Sequence, residues 1–155
     1  MRLVMTIAAL SALCSTAANA SPPTANDRAA LERLASENDA AWTAKDWATI
    51  TNQYAAGGTL RVDPTKAVEL GQEAIGRFFQ ASFSRRPDGF RHITKVENIE
   101  MVTPNLAIAD AHVRVERLKD ADWVLAREFV SSSLAIREGG NWKLHSVRAN
   151  PLPAR

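Results

Sequence analysis

The chain has 155 residues, 46% of them hydrophobic, and its 19 Lys and Arg nearly balance 17 Asp and Glu. No run of bases forms a stripe for phosphates or anionic lipid, which argues against nucleic-acid binding, and the length suffices to bury an ordinary core. A single cysteine, Cys14, excludes an intrachain disulfide.

The chain opens with Met1-Arg2, an apolar run from Leu3 to about Ala12, and Ala18-Asn19-Ala20 before Ser21-Pro22-Pro23. A basic start, a short apolar stretch and an Ala-x-Ala site have the order of a secretory signal peptide cleaved after Ala20. The run is too short to span a bilayer. A lipoprotein anchor on Cys14 is the competing reading, but Leu13 stands where such sites want a small residue. The expectation is that residues 1–20 are removed. The remainder would be exported, periplasmic or secreted, thiol-free and detached from the membrane.

Residues 21–26 read as a mobile, Pro-containing leader, and 27–152 as one domain. From Asp27, the positions Leu31, Leu34, Ala35, Asn38, Ala41 and Trp42 recur at helical spacing, with Asn26 as cap candidate. Lys45-Asp46 reads as a break, and Asp46 as the cap of a second helix. Trp47, Ile50, Thr51 and Tyr54 lie on one side of that helix, and Gly57-Gly58 ends it. Two short strands, 59–62 and 67–70, flank an Asp63-Pro64-Thr65-Lys66 turn. A third helix places Ile75, Phe78, Phe79, Ser82 and Phe83 in phase, and Arg85-Arg86-Pro87-Asp88-Gly89 stops it. Four strands follow, at 90–102 with a bulge, 106–118, 123–137 and 142–149. Helices first and a meander second is an α+β pattern.

The residues that carry a family likeness are Ala40-Ala41-Trp42 with Asp46, Tyr54-Ala55, Gly71-Gln72-Glu73-Ala74-Ile75, Asn105-Leu106-Ala107 and Gly140-Asn141-Trp142-Lys143-Leu144. In this order across 27–152 they resemble the nuclear transport factor 2-like superfamily, within its SnoaL-like group of ketosteroid isomerase-like and polyketide cyclase-like proteins. The resemblance implies a cone-shaped, strongly curved antiparallel sheet wrapped around three N-terminal helices. It also implies a pocket in the open mouth and dimerisation through the sheet. Some relatives move protons or close rings on carbonyl compounds, and many only bind, so function must be argued from the site.

On the strand 106–118, Ile108, Asp110, His112, Arg114 and Glu116 share one face, and Ala107, Ala109, Ala111, Val113 and Val115 the other. With the polar face inward, Asp110 and His112 form an acid–base pair near neutral pH. With the Ala/Val face inward, they meet water or a dimer partner. Asp63 lies where the resemblance to ketosteroid isomerases suggests a general base, although Asp-Pro is also a turn signal. Gly57-Gly58 replaces the acidic residue those relatives often carry after the Tyr-Ala step. Tyr54 is the candidate donor to a developing enolate oxygen.

Trp42, Phe79 and Phe83 are core rings that would also line a pocket for a flat apolar ligand, and Arg148 and Asn150 could meet its carbonyl or carboxylate. His92, His112 and His145 form no spaced pair, so neither metal nor cofactor is expected. The expected function is binding of a small, largely apolar or carbonyl-containing molecule by a homodimer, with isomerase- or cyclase-like acid–base chemistry. The alternative is a non-catalytic binding or dimerisation module.

Overall fold

The computed structural model of the protein describes residues 21–153. The expected signal peptide and Cys14 fall outside them. Three helices, α1 (Ala25–Thr43), α2 (Trp47–Asn52) and α3 (Gly71–Arg85), accompany six strands. These are β1 (Tyr54–Arg61), β2 (Glu69–Leu70), β3 (Phe90–Thr103), β4 (Leu106–Lys119), β5 (Asp122–Glu138) and β6 (Asn141–Pro151).

Helix α1 buries Leu31, Leu34 and Ala41, the stripe its periodicity marks out. Its cap is Thr24 rather than Asn26, which lies in the first turn. Thr24 Oγ1 accepts from the Asp27 amide at 3.1 Å and donates to the Asp27 carboxylate at 2.7 Å. The Thr-x-x-Asp box thus outcompetes a lone Asn two residues later. Ser21 exchanges two backbone hydrogen bonds with Met101, at 3.1 and 2.9 Å, so the segment expected as a mobile leader is tied to β3.

Asp46 caps α2 as its position suggests, accepting from the Thr49 amide at 3.0 Å. That helix ends at Asn52, not at Gly57-Gly58, and Tyr54 opens β1. The Tyr54 ring reaches the core from strand geometry just as it would from a helix. The two glycines instead occupy a register shift between Tyr54 and Thr59. A Cβ on Gly58 would stand 2.9 Å from the Ala55 carbonyl oxygen. The second short strand shrinks to Glu69–Leu70, and the other four strands match expectation to within two residues, including the bulge between Val96 and Asn98.

The six strands form one curved, open sheet in the order β2-β1-β6-β5-β4-β3. Neighbours are antiparallel except β1 and β6, which run parallel, so the sheet is mixed. Parallel neighbours cannot be joined by a hairpin, and here the whole meander separates them in sequence. The helices cover one face, α1 against β3 and α3 against β1. One core cluster joins Leu31 and Leu34 to Ile99, Met101 and Trp142, and a second joins Ile50, Tyr54 and Leu60 to Ile75, Phe79 and Phe83.

Phe79→Ala should destabilise by about 3 kcal/mol, the low end for such truncations, because the ring already borders a hollow. Chemical denaturation checks this, and a near-neutral effect would mean that α3 buries another face. A second expectation concerns acid. Hydrogen bonds from Thr49 hold the Asp46 carboxyl below its usual value of 3.8. A depressed folded-state value stabilises above the unfolded one and is lost as pH falls through the folded one. Asp46→Asn should therefore flatten the loss of stability below about pH 4 in acid titrations followed by circular dichroism.

Candidate functional site

Between the two core clusters lies a cavity of about 430 Å³, within the usual range for small-molecule sites. Its sheet wall consists of the small side of β4, Ala109, Ala111, Val113 and Val115, with Ser131 and Ser133 of β5 alongside. Its helix wall includes Leu31, Leu34, Trp42 and Phe79. Ala126 and Arg127 line it while being exposed, which marks the side on which it opens.

The Ala/Val face of β4 therefore points inward, and Asp110 and His112 lie on the convex face. Asp110 accepts a 2.8 Å hydrogen bond from the Ser132 hydroxyl, and His112 Nε2 stands 3.7 Å from Glu128. The physical reason is that small apolar side chains pack against helices more cheaply than a carboxylate and an imidazole can be desolvated. An acid–base pair of Asp110 and His112 inside the cavity is excluded by this orientation.

Asp63 does not line the cavity either. Its carboxylate accepts from the Thr65 amide at 2.8 Å and the Thr65 hydroxyl at 2.7 Å, which together hold the carboxyl below its usual range. It acts as the turn residue that Asp-Pro announces. Arg148 and Asn150 alternate with the lining residues Val147 and Ala149 and so face outward, with Arg148 donating to the Thr59 hydroxyl at 3.1 Å. Phe83 is buried in the core and meets Trp42 edge-on at 5.9 Å rather than lining the hollow. Of the residues expected to face a ligand, Trp42, Tyr54 and Phe79 do.

Tyr54 is 2% exposed, and burial pushes its phenol far above the usual range, with the Arg148 charge opposing. Its hydroxyl therefore stays protonated, a donor and not a base.

Two lining groups escaped the sequence reading. His92, considered there only as a metal ligand, lines the cavity with its ring 4.9 Å from that of Trp42. Its Nδ1 lies 2.6 Å from the Asp39 carboxylate. Asp39 also accepts from the Thr94 amide at 2.6 Å and the Thr94 hydroxyl at 2.7 Å, so α1 and β3 are joined through one carboxylate. A carboxylate only accepts, so Nδ1 carries the hydrogen, and in the neutral ring Nε2 presents its lone pair. The available signal was that Asp39 follows Ala35 by four and precedes Trp42 by three, in phase with the buried stripe.

The other missed residue is Arg86, at the end of α3. Its guanidinium carbon lies 3.7 Å from the Trp42 ring centre and 4.6 Å from that of Phe83. Among the described residues no group of three or more His, Cys, Asp or Glu comes together to hold a metal. Asp110→Asn should leave ligand binding in the cavity unchanged and shift stability by less than about 0.5 kcal/mol. Calorimetric titration and thermal denaturation of the variant check both.

No family model matches the chain, and no curated protein matches it in sequence. Solved structures do match. A protein of unknown function with a cystatin-like fold from Nostoc punctiforme superposes with a TM-score of 0.74 at 18% identity, over 86% of this chain and 97% of that one. A nuclear transport factor 2-like protein from Novosphingobium aromaticivorans gives 0.70 at 17%, over 84% of each chain. A ketosteroid isomerase-like protein from Erwinia carotovora atroseptica gives 0.68 at 12%, over 84% of this chain and all of that one. At these identities the likeness speaks to architecture, and the architecture is the cystatin-like fold of the nuclear transport factor 2-like proteins.

Proposed function

We propose that the protein binds a small, largely apolar carbonyl compound in its cavity and moves a proton on it. The Asp39–His92 pair is the observation that carries this reading. A histidine whose Nδ1 is fixed by a carboxylate, and whose ring borders an apolar hollow, has the orientation a general base needs. In this mechanism Nε2 of His92 takes the proton from the carbon beside the carbonyl. Tyr54 donates its hydroxyl hydrogen to the enolate oxygen as charge develops there. Returning the proton elsewhere gives an isomerisation, and attack by the enolate on a second carbonyl gives ring closure.

The neighbouring ketosteroid isomerase-like structure and the small-molecule habit of the fold are in keeping with this, as is the lining of the cavity. Export of residues 21–155 and a homodimer through the convex face of the sheet belong to the same reading. Exposed Val130, beside the Asp110 and His112 register positions, would lie in that contact.

The test is loss of deuterium from steroid and polyketide-like ketones labelled beside the carbonyl. Protein-dependent exchange is expected, falling about 100-fold or more in His92→Gln. Equal exchange by the variant, or none across the panel, would sink the proton-transfer reading.

A further inference from the structure

The charge of the cavity lining is one-sided. Among the described residues its formally charged lining groups are Arg86 and Arg127, with no Asp or Glu. Asp39 stands behind His92, committed to that ring and to Thr94. Arg127 is exposed at the opening and near enough to Asp63 for the two charges to interact.

Arg86 is different. One nitrogen, Nη2, donates to the Trp42 carbonyl at 2.7 Å. Nε and Nη1 are buried and have no hydrogen-bond partner among the described residues. Asp88, whose charge favours that of Arg86, is engaged by Lys45 at 2.5 Å, and burial disfavours the Arg86 charge. A guanidinium with unpaired donors at the wall of an apolar hollow lowers the stability of the empty protein. Arg86 lines the cavity, and no carboxylate among the described lining residues offsets its charge there. The guanidinium packs against two rings set at 88° to each other, those of Trp42 and Phe83, which hold it in place, and a planar carboxylate is the anion that pairs best with such a fork.

We infer that the cavity is built for an apolar carboxylic acid, its carboxylate paired with Arg86 and its body against Leu31, Leu34 and Phe79. This narrows the substrate class of the proposed site and rests on reading the cavity as a small-molecule site, though not on catalysis. Trp42 touches both Arg86 and His92, so an acid anchored at Arg86 is held beside the proposed base.

The test compares 2-naphthoate with 2-naphthamide by calorimetric titration at neutral pH, two probes of nearly equal shape that differ in charge. The acid should bind at least about tenfold more tightly to the wild-type protein, as a charge-assisted pair warrants. Arg86→Gln should erase that preference while keeping amide affinity, which also reports an intact fold. Should that variant fail to fold, as circular dichroism would reveal, Arg86→Lys replaces it and should reduce acid binding alone, because the fork is lost. His92→Gln should keep the preference, which separates this inference from the proton-transfer reading. Equal binding of the two probes, or a preference that survives at Arg86, overturns the inference and leaves the cavity reading standing. Binding of neither probe overturns it along with that reading.

Discussion

The cavity depends on the size of the side chains that β4 and β5 turn inward. Ala109, Ala111, Ser131 and Ser133 reach only a short way from the sheet, while Trp42 and Phe79 approach from the helices. Protein interiors ordinarily close to crystal-like density. Here the wall is too shallow and the helices too firmly spaced for that. The spacing is set partly by Asp39, whose carboxylate takes two hydrogen bonds from Thr94 and one from His92. The contact that holds α1 off the sheet is the same one that orients the imidazole, so the hollow and its chemistry have a common origin.

Polarity is distributed to match. Charged partners crowd the convex face, where Glu116, 4% exposed, is held by Arg91 and Arg114. Beside small hydroxyls and an amide, such as Ser131, Ser133 and Asn38, the concave face carries three interior polar groups of note: a phenol that stays protonated, an imidazole fixed at one nitrogen and a guanidinium packed on aromatic rings. In a low-dielectric hollow each such group counts for more than it would in water. Tyr54 is also held through its backbone, since Gln72 donates to its carbonyl at 2.6 Å. Gly71, at φ +81°, supplies the left-handed turn that places Gln72 there.

Much of this was legible in the residues. Alternation along β4 and the phase of α3 are strong periodic signals, and the Gly139-Gly140-Asn141 turn is local chemistry. Where the sequence misled, two structures shared one pattern. Tyr54 is in phase with Ile50 as a helix residue and equally buried as the first residue of a strand. The polar face of β4 drew attention because Asp110 and His112 stand two apart, yet a pair close in sequence on one strand says nothing of which side the helices will cover. Asp39 and His92 are 53 positions apart, and only the packing of α1 on β3 brings them to 2.6 Å. Likewise Arg86, in a stretch whose clearest message was that the helix stops, gains its role from two rings that other contacts place.

The sheet order carries a consequence for how the chain acquires its shape. β6, the last of the six described strands in chain order, lies in the interior between β1 and β5. During synthesis the β1–β2 ribbon and the β3–β4–β5 meander can each form early, yet no strand pairing stitches one to the other. A two-stranded ribbon is marginal alone. Completion waits for a segment pairing over 80 residues back, as in Thr59 with Ser146, and distant pairings of this kind form slowly. Until β6 is made, the two pieces of the sheet are linked through the helices alone.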